Sequence, residues 1–229
     1  MHSVIVFLVW LFASMPVAAG EAGNLSAEEA VEAVKQALFQ GAESAVQKLG
    51  VENGFLDNPR VKITLPAYLQ KAEAAMRTLG KAKYADRLIA AMNHAAEISS
   101  AKAGPLLKEA VDRLSIDEPQ ALLAGEDDEA TRYFSNASRE ALAQALLPIV
   151  KNATDQAGLL KKYNDFAGKA AKFGLLGEKH AHIENHVAEK MLDGLYLIMA
   201  EEEQSIRHDP STQSNELLQS VFGPLLHAQ

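Results

Sequence analysis

The run His180-Ala181-His182-Ile183-Glu184-Asn185-His186 places three histidines and a carboxylate within seven residues. His182 and His186 stand one helical turn apart, a spacing that can hold Zn²⁺. At 100° per residue, Glu178, His182, His186, Glu189 and Asp193 share one strip of about 80°. His182, His186 and Glu189 are therefore the candidate metal ligands. The same wheel sets Ile183, Val187, Met191, Leu195 and Ile198 on the opposite, apolar side. The His strip then faces water, where His and Glu one turn apart form weak pairs. The His-Glu-x-x-His pattern of zinc proteases is absent, because the glutamate follows His182 by two residues. The expectation is a solvated face, with no metal and no other cofactor.

Glu202 is the second candidate. Continuing the wheel puts it beside Leu195, Ile198 and Ile206, inside the apolar stripe. A carboxylate there must be protonated or paired, because an unpaired buried charge is expensive. Two readings follow: an acid/base with a raised pKa, or a salt bridge to a Lys or Arg of another helix, which is favoured. A hydrolase would need Glu202, Glu97 or the His strip to converge with a second titratable group. The acidic run Glu126-Asp127-Asp128-Glu129 lacks the spaced oxygens and central Gly of a calcium loop and suits a helix N-terminus. No Gly-x-Ser-x-Gly, P-loop or dinucleotide fingerprint occurs, and the chain has no Cys to serve as nucleophile or thiolate ligand. Asn24, Asn136 and Asn152 each open an Asn-x-Ser/Thr triplet, relevant only in a glycosylating host.

The elements that must position these residues are helices. Hydrophobic residues make up 48% of the 229, aromatics only 6%, and about one residue in six is Ala, a bias toward helix over strand. The formal charge of -8 argues against nucleic acid, which needs a basic face. Lys161, Lys162, Lys169 and Lys172 cluster, but apolar residues interleave them as on the wet face of a helix. Val4 to Ala13 is a continuous apolar run followed by Met15-Pro16-Val17-Ala18-Ala19-Gly20, the pattern of a signal peptide over residues 1–19 with cleavage after Ala19 or Gly20. The run is shorter than the ~20 residues a bilayer span needs, so no transmembrane span is expected after cleavage.

Ser26 with Glu29 three residues on makes a capping box, and Val31, Val34, Leu38, Ala42, Ala45 and Leu49 follow on one face until Gly50. Glu52 to Pro59 is turn chemistry, and Val61 to Leu65 alternates like a short extended stretch. Further helices are expected from Pro66 to Gly80, from Tyr84 to Ile98, and from Gly104-Pro105 to Leu114. Others follow within Ser115–Gly125, through Tyr133-Phe134, and again from Ser138, with Pro148 as a kink or restart. The last are Leu159 to Phe173, His180 to Arg207, and Ser211 to Phe222, stopped by Gly223-Pro224. The expectation is an all-α single helical bundle of eight or nine helices over residues 24–224, with residues 225–229 as a tail.

Several segments carry a family resemblance. They are Leu49-Gly50 with Asn53-Gly54-Phe55-Leu56 and Asn58-Pro59, then Val61-Lys62-Ile63 with Leu65-Pro66, Met92-Asn93 with Ala95-Ala96-Glu97, and Ala130-Thr131 with Tyr133-Phe134. Asp193-Gly194-Leu195-Tyr196, Glu202-Glu203, Ile206-Arg207, Asp209-Pro210 and Val221-Phe222-Gly223 complete the series in order. The chain resembles the bacterial family of exported helical proteins catalogued as domain of unknown function 4197. It departs from that pattern at His94 and His186, where Arg and Tyr are expected. The resemblance implies a Gram-negative periplasmic protein and no particular activity. The favoured reading is a non-catalytic binding or interaction module, its partner an envelope protein or a small apolar ligand. A structural or stress-related envelope protein ranks second, and a carboxylate/His hydrolase or metal-binding protein last. Phe55, Leu56, Tyr133, Phe134 and Glu202 are the candidate ligand-binding residues, with Phe55-Leu56 and Tyr133-Phe134 expected to offer an exposed apolar patch.

Overall fold

The computed structural model describes residues 25–174 and 183–226. The leader-like residues 1–19, Asn24, Glu178, His180 and His182, and the last three residues of the expected tail lie outside the described residues. The described chain is all helical: α1 (Ala27–Leu49), α2 (Ala67–Thr78), α3 (Ala82–Ser100), α4 (Gly104–Asp112), α5 (Pro119–Ala124), α6 (Glu129–Gln156), α7 (Leu159–Lys172), α8 (Ile183–His208) and α9 (Glu216–Leu226). A 3-10 turn at Pro210–Thr212 joins α8 to α9. Among the described residues no helix is long and apolar enough to cross a membrane.

Local chemistry sets most boundaries. The Ser26 hydroxyl accepts from the Glu29 N–H while the Glu29 carboxylate accepts from the Ser26 N–H, closing the expected capping box. Gly80 and Gly174 end α2 and α7 with φ of 68° and 67°, a conformation glycine reaches without steric cost. Two expectations are corrected. Residues 129–156 form one helix through Pro148. Pro148 and Gln144, whose carbonyl loses its i+4 donor, are both exposed, so water can satisfy that oxygen. At the C-terminus α9 starts at Glu216 and runs through Gly223-Pro224, where a proline in the last turn removes a single bond. Val61 to Leu65 lies outside the helices and keeps the expected alternation: Val61, Ile63 and Leu65 are buried, and Lys62 and Thr64 are exposed.

α8 is the axis of the bundle. It packs against α1, α3, α6 and α9. The face Ile183, Val187, Met191, Leu195 and Ile198 is buried as expected. A second stripe, Leu192, Tyr196 and Met199, is buried as well, because α8 is enclosed from more than one side. α1 approaches α8 through small residues. A Cβ on Gly41 would meet the Met199 Cα and carbonyl oxygen at 3.3 Å, so the two backbones are nearly in contact. The buried face of α1 is rich in Ala (Ala30, Ala33, Ala37, Ala42, Ala45), small residues that let neighbouring helices pack closely.

Gly194 has a different task. A Cβ there would stand 2.8 Å from Phe55 Cε1 and 3.2 Å from Phe55 Cζ. The Phe55 ring therefore lies on the bare backbone of α8, held from behind by a fully buried environment. Gly194→Ala is expected to force that ring aside and cost about 1–3 kcal/mol, the usual penalty for overpacking a filled core. Urea unfolding followed by circular dichroism measures it; a G194A protein as stable as wild type would contradict this packing.

Candidate functional site

Residues 50–65 have no regular structure, yet they are tied down at several points. Asn93 on α3 accepts from the Ile63 N–H at 2.8 Å and donates to the Ile63 carbonyl at 2.8 Å. Its amide stands in for a neighbouring strand, satisfying both backbone groups of one buried residue. One turn on, the buried Glu97 accepts from the N–H groups of Phe55 and Leu56, each at 3.2 Å, while His94 Nδ1 lies 3.5 Å from its other oxygen. From α8, His186 Nε2 meets the Thr64 carbonyl at 2.9 Å. Phe55 thus has no exposed face to offer a ligand: it is core, correcting the expectation of an exposed patch at Phe55-Leu56. Leu56 is half-buried and packs against that core.

The carboxylates of α8 divide differently from the helical wheel. Glu202 is half-buried against α1, where Gln40 Nε2 donates at 3.0 Å, Ser44 Oγ at 2.7 Å and Lys48 Nζ at 3.5 Å. Burial pushes its pKa up, but these donors outweigh burial and hold the carboxyl below its ordinary value. Glu202 is therefore an ionised, structurally paired group. The carboxylate enclosed in the core is Glu203. It accepts from Ala130 N at 2.9 Å, Thr131 N at 2.7 Å and Thr131 Oγ1 at 2.7 Å, all at the start of α6. Arg207, one turn further, donates to Glu203 at 2.7 Å and to the Leu122 and Leu123 carbonyls at 2.8 and 2.7 Å. The wheel missed Glu203 because it drew one stripe; Leu192, Tyr196, Met199 and Glu203 form the second at spacings of four, three and four.

The candidate metal strip is dispersed. His186 spends one ring nitrogen on Thr64, Glu189 is exposed, and Asp193 bonds Arg139 at 2.9 Å and Lys190 at 2.8 Å. Among the described residues no group of three or more His, Asp and Glu side chains could hold a metal ion. Glu97, Glu202 and the described part of the His strip do not converge: each serves a separate backbone or side-chain partner.

Tyr133 and Phe134 part company. Phe134 is core, fully buried, with its ring edge-on to Tyr196 at 5.9 Å, again a correction to the expected patch. Tyr133 is half-buried, and its hydroxyl donates to the Ser115 carbonyl at 2.7 Å. It stands at the end of a groove between α4 and α6 of about 610 Å³. Leu106, Ala110 and Leu114 form one wall, and Tyr133, Ala137 and Ala141 form the other. Tyr133, Ala137, Ala141 and Ala145 fall four residues apart on α6, so a stripe of methyl groups leaves space where larger side chains would close the helices together. That Ala-x-x-x-Ala-x-x-x-Ala stripe was visible in the sequence. Ser138, at the groove, has its hydroxyl committed to the Phe134 carbonyl at 2.7 Å and to the Tyr196 hydroxyl at 3.0 Å.

Two stability measurements separate the α8 carboxylates. Glu203→Gln breaks a buried ion pair by removing one charge and is expected to cost about 3–5 kcal/mol in urea unfolding; a loss below about 1 kcal/mol would mean the pair carries no net weight. Glu202→Gln is expected to lower Tm at neutral pH. Because the folded pKa of Glu202 lies below its unfolded value, its contribution is full above ~pH 5 and disappears as pH falls through the folded value. The Tm gap between wild type and E202Q should therefore close on acidification, and a gap independent of pH would contradict the assignment.

The segments that carry the family resemblance are thus those that clamp residues 50–65, seat Phe55 on Gly194 and build the Glu203–Arg207 pair. No curated protein and no solved structure matches the chain. Residues 24–223 match the family model described as Protein of unknown function (DUF4197), and the chain belongs to that family.

Proposed function

We propose that the protein is an exported, non-catalytic binding module that takes a small apolar ligand in the groove between α4 and α6. The observation that carries this reading is the groove itself: about 610 Å³, walled largely by Leu and Ala, and half-closed at one end by Tyr133. Its size falls within the ~300–1,000 Å³ of small-molecule sites, and its lining is apolar as such sites usually are. The polar groups near it are already bonded, Tyr133 to Ser115 and Ser138 to Tyr196, and Arg113 on its rim pairs with Glu109 at 2.6 Å. They orient a ligand but leave no free nucleophile or base. The buried carboxylates elsewhere likewise hold backbone N–H groups, which supports binding over hydrolysis. Export rests on the apolar run Val4–Ala13 and the small residues after it.

Ala141 is exposed in the groove, so a large side chain there fills the space without entering the core. Titration with the apolar fluorophore N-phenyl-1-naphthylamine should show saturable binding to the wild-type chain. Ala141→Trp should weaken that binding at least tenfold and leave Tm unchanged. A folded A141W protein that binds the probe as well as wild type would overturn the assignment of the groove.

A further inference from the structure

The acidic chain has one end that is basic and greasy together. Lys83 Nζ and Lys169 Nζ each lie 5.5 Å from the centre of the Tyr84 ring, so the start of α3 and the last turns of α7 meet there. Lys81 stands one turn before Tyr84, and Lys172 lies three residues beyond Lys169. Among the described residues none of these four lysines belongs to an ion pair. The nearest acids on α2 and α3 are engaged: Glu73 and Asp86 both bind Arg77, at 2.8 and 2.7 Å. Asp165 is the one acid within α7.

Apolar side chains protrude from the same end. Leu79, where α2 closes, is 49% exposed, and Phe173, where α7 closes, is 47% exposed. Each sits at a helix C-terminus just before a glycine of positive φ.

We propose that this end docks on an anionic lipid surface, with Lys81, Lys83, Lys169 and Lys172 over the headgroups and Leu79 and Phe173 inserted between them. The charge is complementary to such a surface, and the two kinds of side chain have the depths it requires: lysine reaches headgroups on a flexible apolar stem, and Leu and Phe enter the acyl boundary. Lysines rather than arginines fit a fluid array of headgroups, where a fixed bidentate fork has no fixed partner. The formal charge of -8 does not forbid this. At physiological salt the Debye length is about 8 Å, so carboxylates at the far end of the bundle are screened from a surface that touches this end.

The test is flotation of the leader-free chain (residues 20–229), which contains every described helix, with vesicles of phosphatidylcholine alone or with roughly a third phosphatidylglycerol. Binding is expected to favour the anionic vesicles at least tenfold and to fall in high salt. Lys169→Glu with Lys172→Glu should remove that preference. Leu79→Ser with Phe173→Ser should weaken binding several-fold while leaving the salt dependence in place. Leu79, Lys172 and Phe173 are exposed and Lys169 is half-buried beside Tyr84, and unchanged melting of the variants shows that the fold is kept. Equal partition to both vesicles, no binding at low salt, or binding untouched by the charge reversals would overturn the proposal. So would tight binding of soluble heparin that is indifferent to L79S/F173S, which would mark a general polyanion site.

Discussion

The Glu203–Arg207 pair is the interaction on which the bundle's second half depends. Glu203 sits at the N-terminus of α6, taking two backbone N–H groups that have no intrahelical partner. Arg207 takes the Leu122 and Leu123 carbonyls near the end of α5. The two charges are therefore oriented with the partial charges of both helix ends, anion to the positive end and cation to the negative one. Desolvating an ion pair is costly, and excellent geometry with filled hydrogen-bond sites is what lets such a pair persist. Here both conditions are met by backbone groups that would otherwise be buried and unsatisfied. One turn of α8 thus fixes where α5 stops, where α6 starts, and how both lie on the central helix.

The first half relies on α3 in a similar way. Asn93 and Glu97, one turn apart, supply to residues 50–65 the hydrogen bonds that a neighbouring strand would supply in a sheet. A segment without secondary structure is thereby packed as core, with Phe55 laid on Gly194. Both arrangements use buried polar side chains to satisfy backbone, so the chemically suggestive carboxylates are spent on separate structural partners. Glu97 and Glu203 are bound to N–H donors, and Glu202 is paired on the flank of α1. Two features outside the core are not spent in this way: the methyl-lined groove between α4 and α6, and the basic, apolar end formed by α3 and α7.

Much of the fold was legible. The 3.6-residue periodicity, the Ser26–Glu29 box and the glycines at 80 and 174 fix most helices, because these signals are local. Pro148 and Pro224 misled for the complementary reason: a proline removes one bond, and whether a helix survives that depends on exposure, which the sequence does not print. The candidate site was less legible. Phe55, Leu56, Tyr133 and Phe134 are alike as residue types, and only tertiary contacts make Phe55 and Phe134 core while leaving Tyr133 beside a groove. Glu202 and Glu203 were confused because a wheel assumes one buried face and α8 has two. The lysines of α7 are legible in the sequence, but the meeting of Lys169 with Lys83 over the Tyr84 ring joins segments far apart in the chain.

The pairing of α1 with α8 closes almost the whole described chain on itself, as the Gln40–Glu202 hydrogen bond, 162 residues apart in sequence, records. Loop closure over such a separation must be completed before the contact returns any free energy. A chain emerging N-terminus first, from a ribosome or through a narrow pore, would expose the small-residue face of α1 until α8 is also free. The contacts of α1 with α8 are therefore withheld until the polypeptide is nearly complete, whereas those of α1 with α4 and α5 are within reach as soon as those helices emerge.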